Sequence, residues 1–175
     1  NDIREQVSAG ASAMVQLMLR HNGQTAVSEE ELLKFRQQFL DDYEADICVD
    51  SCLFEQLDEI LTFLESKQVP WGIVTNKPRY LAEQLLEKMN LYERCTVLVC
   101  PDDVARTKPD PEPMYLALEK LAIPRGGAAS VLYVGDHIRD IEAGRAAGMP
   151  TILAAYGYIP PEDQKTIKKW NATYI

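Results

Sequence analysis

The sequence predicts an α/β protein with a doubly wound parallel sheet, preceded by a helical region. From about residue 53 onwards, short apolar runs alternate with longer helical patterns. Strands that alternate with helices form βαβ units, in which helices cover both faces of a parallel sheet. Residues 1–50 show helical periodicity alone. We therefore expect a helical domain over residues 1–52 and an α/β core over residues 53–175.

The helical region divides into two predicted helices. Apolar residues recur at helical spacing on both sides of Asn22-Gly23, a pair that favours a turn. The second helix is predicted to begin at Ser28, because Ser28 and Glu31 have the spacing of a capping box.

The α/β region is predicted to alternate strands with helices as far as residue 155. The expected strands cover residues 69–75, 96–100, 131–135 and 151–155, and the expected helices cover residues 54–67, 79–89, 111–122 and 139–148. Residues 170–175 have the pattern of a further strand that is only beginning.

Composition excludes some partners and locations. The formal net charge of -9 argues against nucleic acid and anionic membranes as partners, because both attract clusters of Lys and Arg. An anionic substrate would therefore need a local cation to bind. No apolar stretch approaches the roughly 20 residues that cross a bilayer, and the sequence shows no signal-peptide pattern. We expect a cytoplasmic protein.

The cysteines are expected to be reduced thiols. The chain has four of them and only two histidines, which is a poor set of ligands for zinc. Cys95 and Cys100 border an apolar run and are typical of strand positions. A disulfide between Cys48 and Cys52 is the alternative.

Polar residues follow the first predicted strand at its carboxyl end, where open parallel sheets bind ligands. Thr75 and Asn76 offer a hydroxyl and an amide that suit a phosphoryl oxygen. Ordinary turn chemistry before Pro78 is the alternative, and taken alone these two residues favour it. Lys108 lies in a Thr-Lys-Pro-Asp-Pro loop that would fix an ammonium group beside a phosphate. The alternative for Lys108 is a solvated surface lysine.

Two carboxylates, Asp136 and Asp140, follow the third predicted strand. Carboxylates four positions apart on a strand-to-helix loop can converge on one hard cation, and Mg²⁺ suits such oxygen ligands. Alternatively, Asp140 caps or charges the first turn of the next helix. His137 is a weak candidate for a ligand, and Arg139 is expected to brace the loop or form an ion pair.

Together, these motifs resemble those of a known family. Thr-Asn after a strand, Lys-Pro-Asp-Pro before a helix and Gly-Asp-x-x-x-Asp-x-x-x-Gly after a later strand resemble the second, third and fourth motifs of the haloacid dehalogenase superfamily, across residues 71–149. The run Val-Thr-Asn-Lys-Pro at residues 74–78 looks like the phosphoglycolate phosphatase branch. Tyr-Gly-Tyr-Ile at residues 156–159 is similar to N-acetylmuramic acid 6-phosphate phosphatases.

The resemblance implies a Rossmann-like fold with a small helical cap domain. It also implies Mg²⁺-dependent hydrolysis of a small phosphorylated metabolite, 2-phosphoglycolate or N-acetylmuramic acid 6-phosphate in type, through an aspartyl-phosphate. The implied site residues are Asp136 and Asp140 for the metal, Thr75 and Lys108 for catalysis, and Thr75, Asn76, Lys108, Ser8 and Gly10 for substrate binding. The rivals are a phosphotransferase of the phosphoglucomutase type and a binding module without catalytic activity.

The family's first motif, Asp-x-Asp-Gly-Thr after an apolar strand, has no match in the 175 residues, so no nucleophile can be named in this chain. The resemblance places the missing strand between those ending near Thr75 and Gly135. Neighbouring strands lie about 4.8 Å apart, so these two would stand about 10 Å apart with unpaired edges. We expect either a preceding segment in the natural protein or an altered sheet in which the two strands pair directly. The 175 residues alone are expected to be inactive.

Overall fold

The structure, a computed structural model, describes residues 10–24, 26–159 and 163–175. Its α-helices are α1 (Ala11–His21), α2 (Glu29–Ala45), α3 (Leu57–Ser66), α4 (Arg79–Lys88), α5 (Glu112–Lys120) and α6 (Ile138–Ala146). Its strands are β1 (Gly72–Val74), β2 (Val97–Val99), β3 (Tyr133–Gly135) and β4 (Thr151–Leu153). Helices and strands alternate from α3 onwards, which is the predicted α/β pattern.

The two predicted N-terminal helices are confirmed as α1 and α2. Gly10 precedes α1 with a φ of 92°, a conformation that glycine adopts without steric cost. At the start of α2, Ser28 Oγ accepts a hydrogen bond from the backbone N–H of Glu31 (3.3 Å), and Glu31 Oε2 accepts one from the N–H of Ser28 (3.0 Å). The predicted capping box is therefore present.

The helical region contacts the α/β region through α2. Leu40 of α2 and Ile47 just beyond it are buried against Leu81 of α4. Burying these apolar side chains removes their surface from water, and this stabilises the packing of α2 against α4.

The strands pair in parallel, as predicted, but are shorter than expected. β1 pairs with β2 and β3 pairs with β4, and Tyr174 continues the second sheet through a parallel bridge to Ile152. Each strand has three residues. The first was predicted from residue 69, but Gln68 has a φ of 55° and Pro70 has no N–H to donate, so the chain becomes regular only at Gly72.

The described chain contains two separate two-stranded sheets, and β1 does not pair with β3. Just beyond the end of β1, the N–H of Thr75 donates to the carbonyl oxygen of Val99 in β2. Backbone groups of successive residues in a strand point to opposite edges, so those of Val74 point away from β2. In β3, the N–H of Tyr133 donates to the residue before β4, so Val134 also points to an unpaired edge. Direct pairing of the two strands, one of the two expectations, is wrong for this structure.

The two sheets share one hydrophobic cluster. Met114 and Leu118 of α5 are fully buried in it, and Val74 of β1 and Tyr133 of β3 pack against it. A single helix therefore packs against both sheets, which share no strand pairing; the Tyr133 hydroxyl of β3 donates a hydrogen bond to the carbonyl oxygen of Val74 in β1 (3.2 Å).

Two findings bear on the chemical character of the chain. All four cysteines are free, so reduced thiols are confirmed and the alternative disulfide between Cys48 and Cys52 is wrong. None of the helices in the described ranges has the length and apolar character that crossing a membrane requires.

Shortening Met114 to Ala should weaken the fold, because its side chain is 0% exposed and contributes to the cluster that joins the sheets. We expect the free energy of unfolding to fall by about 2–5 kcal/mol in urea titrations. Leu33→Ala is the matched control, because Leu33 is 59% exposed and should change stability little. Equal losses in the two variants would contradict the assignment of the core.

Candidate functional site

A cavity of about 480 Å³ lies between the helical region and the carboxyl ends of β1 and β3. Residues of α1 and α2 line it, together with the loops that follow β1 and β3. The residues of the predicted site that line this cavity are Gly10, Thr75, Asn76, Lys108, Asp136 and Asp140. Ser8, the remaining predicted residue, lies outside the described residues.

Lys108 connects the facing edges of the two sheets. Its Nζ donates to Asp140 Oδ1 (2.7 Å), to the carbonyl oxygen of Val74 (2.7 Å) and to the hydroxyl of Tyr133 (3.0 Å). An ammonium group has three N–H donors, so each has an acceptor. A phosphoryl oxygen would bind here by replacing one of the two neutral acceptors.

The side chains of the Lys108–Asp140 pair are only 10% and 12% exposed. Burial on its own would lower the pKa of Lys108, but the oxygens of Tyr133 and Asp140 outweigh it and raise that pKa above its ordinary value. Lys108 is therefore a cation at neutral pH. Burial raises the pKa of Tyr133 to about 12, so its hydroxyl remains protonated.

The two carboxylate oxygens of Asp140 have different partners. Oδ1 pairs with Lys108, and Oδ2 accepts the backbone N–H of His137 (3.1 Å) at the start of α6. The helix-capping alternative is thus observed together with the ion pair. Gly135 allows this approach, because a Cβ at that position would lie 2.3 Å from Asp140 Cβ.

His137 is the N-cap residue of α6, and its Nδ1 accepts the backbone N–H of Arg139 (3.2 Å). Burial, and next the guanidinium of Arg139, lower the pKa of His137 below its usual value. A neutral ring can accept this hydrogen bond, so the contact agrees with the direction of the shift.

The carboxylate of Asp136 is positioned by a segment that the sequence did not single out for this role. Asp136 is half-buried, and its Oδ2 accepts the backbone N–H of Tyr158 (2.8 Å). A Cβ at Gly157 would lie 2.4 Å from Asp136 Cβ, so only glycine lets this segment approach so closely. The Tyr-Gly-Tyr-Ile similarity was the available signal, but it did not indicate a hydrogen bond to a residue 22 positions away.

Thr75 and Asn76 have different roles in the loop after β1. Thr75 Oγ1 accepts the N–H of Lys77 (3.0 Å), which leaves its hydroxyl proton available for an anion. Asn76 Nδ2 donates to the carbonyl oxygen of Lys108 (3.1 Å) and so braces the Lys108 loop. Asn76 Oδ1 is buried without a hydrogen-bond donor among the described residues. An amide oxygen is an acceptor, so it suits an N–H or hydroxyl and not a phosphoryl oxygen.

The charge of the cavity is opposite to that of the whole chain. Four basic side chains line it, namely Arg36, Lys77, Lys108 and Arg139, against the two carboxylates Asp136 and Asp140. The chain as a whole has a formal net charge of -9. The cavity therefore supplies the local cations that an anionic substrate needs.

The described residues include no cluster of three His, Cys, Asp or Glu side chains that could hold a metal ion. Mg²⁺ nevertheless requires few protein ligands, because it keeps several waters and uses one or two carboxylates together with substrate oxygens. A half-buried carboxylate at the cavity, fixed by a backbone N–H as Asp136 is, fits that requirement.

Comparison with known proteins is consistent across sequence and fold. The family model described as haloacid dehalogenase-like hydrolase matches residues 7–154. The chain is 42% identical over 175 residues to an N-acetylmuramic acid 6-phosphate phosphatase from Pseudomonas putida, covering 100% of this chain and 74% of that protein. It is 39% identical over 173 residues to a phosphoglycolate phosphatase from Xanthomonas campestris, and this match covers 99% of this chain and 74% of that protein.

Among solved structures, a predicted phosphoglycolate phosphatase from Haemophilus somnus superposes with a TM-score of 0.82. The match covers 99% of this chain and 76% of the other, at 24% identity. At that identity the likeness shows a shared fold alone, and it agrees with the α/β class predicted from the sequence.

Removing the ammonium of Lys108 should destabilise the protein. Lys108→Met leaves the Asp140 carboxylate buried without its counter-ion, and we expect the free energy of unfolding to fall by about 3–5 kcal/mol. Lys34→Met is the matched control, because the Lys34–Glu30 pair is exposed and should contribute much less. Denaturant titrations measure both variants.

The double variant Lys108→Met/Asp140→Leu completes the test. It removes both charges, so it should recover part of the stability that the single variant loses. A double variant that is less stable than Lys108→Met alone would show that the two charges are not coupled.

Proposed function

The chain belongs to the haloacid dehalogenase-like hydrolase family, and from this membership we propose that it is a phosphatase that acts on a small phosphorylated metabolite. The substrate is of the N-acetylmuramic acid 6-phosphate or 2-phosphoglycolate type, after the names of the relatives. One observation carries the proposal: the buried Lys108–Asp140 pair meets Asp136 and Thr75 at a cavity that is locally cationic.

Thr75 and Lys108 are the proposed catalytic residues that hold the phosphoryl oxygens. The hydroxyl of Thr75 donates a hydrogen bond to one phosphoryl oxygen. Lys108 gives up one of its two neutral acceptors, the Val74 carbonyl or the Tyr133 hydroxyl, and donates to a second phosphoryl oxygen instead. Hydrogen bonds between an ammonium and a phosphate are shorter and stronger than those to neutral groups, so the exchange is favourable. Because Asp140 keeps its position on Lys108, the donors are already in place when charge develops on the phosphoryl group.

Mg²⁺ is the proposed cofactor, with Asp136 as a direct ligand. Asp140 was predicted as a ligand too, and its two oxygens already bind Lys108 and the backbone of His137. We propose that Asp140 holds Lys108 in place and contacts the metal ion only indirectly, through a metal-bound water molecule. The bound ion would neutralise charge on the phosphoryl oxygens.

The nucleophile is proposed to be an aspartate outside the 175 residues, on a strand that fits between β1 and β3. The N–H of Val74 and the backbone groups of Val134 point into that space, and Val134 is 50% exposed. The carbonyl of Val74 accepts Lys108 Nζ at the same edge. Attack on phosphorus would form an aspartyl-phosphate and release the alcohol, and water would then release inorganic phosphate. Without that strand the 175 residues should not turn over substrate.

Residues 1–52 are proposed to act as a cap over the core formed by residues 53–175. Gly10 and α2 line the cavity, which supports a role in substrate selection, and closure of such an element excludes water from the reaction. We also propose a cytoplasmic location, which the four free thiols favour.

Phosphate release by the full-length protein tests the proposed function. With both substrate types, inorganic phosphate should appear in the presence of Mg²⁺ and stop after chelation. Asp136→Asn should lower kcat/KM by about 100-fold or more, while Asp42→Asn on the exposed side of α2 should not. Equal rates after chelation would remove Asp136 from its metal role, and phosphate recovered on a sugar would indicate a phosphotransferase.

Gly157→Ala tests how Asp136 is positioned. The added methyl group must displace Asp136, so the Mg²⁺ concentration for half-maximal activity should rise about 10-fold or more. Gly126→Ala is the matched control, since a Cβ at Gly126 meets nothing within 4 Å. An unchanged Mg²⁺ dependence in Gly157→Ala would contradict the proposed role of this segment.

A further inference from the structure

Two cations on the cavity wall form no ion pair with a described carboxylate: Arg36 on α2 and Lys77 in the loop after β1. Two arginines away from the cavity do form ion pairs: Arg79 pairs with Asp103 and Glu83, and Arg94 pairs with Asp58 and Glu65. Acidic residues outnumber basic ones by 27 to 18 in this chain. Partners for Arg36 and Lys77 were therefore abundant, yet both face the cavity without one.

Lys77 is fixed in place by a neutral group. Its Nζ donates to the hydroxyl of Tyr43 (2.9 Å) and lies 4.1 Å from the centroid of the Tyr43 ring. These contacts orient the ammonium without neutralising it, and two of its N–H donors remain for a ligand. Lys77 also follows Thr75 by two residues, and its own N–H binds Thr75 Oγ1.

Arg36 reaches the cavity from the helical region. It is half-buried and lies on the same helix as Phe39 and Tyr43, which also line the cavity. A planar guanidinium presents paired N–H donors that match a carboxylate in bidentate geometry. Lys108, by contrast, is bound at the strand ends by Asp140. The cavity thus has a cationic group for a phosphoryl oxygen at the strand ends, Lys108, and further cations on α2, Arg36, and in the loop after β1, Lys77, whose Nζ is bound to Tyr43 of α2.

The cavity between these groups is partly apolar, because Ala11, Met14, Leu40 and Leu81 also line it. A ligand that satisfies this arrangement has two anionic ends and an uncharged middle. Both proposed substrate types have that form, since each carries one carboxylate as well as the phosphate ester.

We propose that Arg36 and Lys77 bind the carboxylate of the substrate and so select phosphate monoesters that carry a carboxyl group. The inference rests on the proposed phosphatase function and deepens it. It makes α2 the element that recognises the part of the substrate distant from the phosphorus atom.

Matched ligand pairs test the proposal in the full-length protein. N-acetylmuramic acid 6-phosphate and N-acetylglucosamine 6-phosphate differ by the lactyl group that bears the carboxylate. 2-Phosphoglycolate and 2-hydroxyethyl phosphate differ by a carboxylate in place of a hydroxymethyl group. Calorimetry in the presence of chelator measures binding without turnover, and phosphate release with Mg²⁺ measures kcat/KM.

We expect the wild-type protein to favour the carboxylated member of at least one pair by about 10- to 100-fold, the range expected for one hydrogen-bonded charge pair. Arg36→Ala and Lys77→Met should each reduce that ratio, and Arg36→Lys should restore part of it. Lys34→Ala is the matched control on α2, because Lys34 is exposed and pairs with Glu30; its ratio should match the wild type.

The outcomes separate the two proposals. A carboxylate preference in binding that Arg36→Ala removes supports the inference, even if no phosphate is released and the phosphatase proposal fails. Absence of any preference in both pairs overturns the inference, and so does an Arg36→Ala variant that keeps the wild-type ratio while thermal denaturation shows it is folded. Phosphate release without preference would leave the phosphatase proposal standing alone.

Discussion

The ion pair between Lys108 and Asp140 is the interaction on which the candidate site depends. Lys108 reaches the carbonyl of Val74 in one sheet and the hydroxyl of Tyr133 in the other, while Asp140 also binds the first turn of α6. Two sheets that share no backbone hydrogen bond are thereby held together at their carboxyl ends. A buried charge without its partner is costly, so the same contact that positions the ammonium also stabilises the fold around it.

The chemistry of the cavity follows from this contact and from the surplus of cations around it. Lys108 is already compensated by Asp140, so it offers hydrogen bonds at a fixed place and adds little net charge. In the proposed function, the attraction for an anion comes from Arg36 and Lys77, which line the same cavity. An acidic protein can thus bind an anionic metabolite at one locally cationic site while its remaining surface repels other polyanions.

The fold and the proposed mechanism meet at the space between β1 and β3. The N–H of Val74 and the backbone groups of Val134 have no strand partner among the described residues, and α5 holds the two sheets in place across the space. A strand inserted there would satisfy those groups and would end beside Lys108 and Asp136, at the edge where parallel sheets bind ligands. The proposed nucleophile, the phosphoryl-binding residues and the metal ligand would then lie at neighbouring strand ends.

The sequence by itself determined the fold class, the capping box at Ser28 and the set of polar residues at the strand ends. These features are local: periodicity, turn chemistry and the rule that ligands bind at carboxyl ends are all contained in short segments. Strand lengths were overestimated, because pairing depends on partners far along the chain. Only the tertiary structure decided that Asn76 braces the Lys108 loop, that Gly157 lies against Asp136 and that Arg36 faces the cavity. Each of these contacts depends on how distant segments pack together, and no local pattern in the sequence encodes that packing.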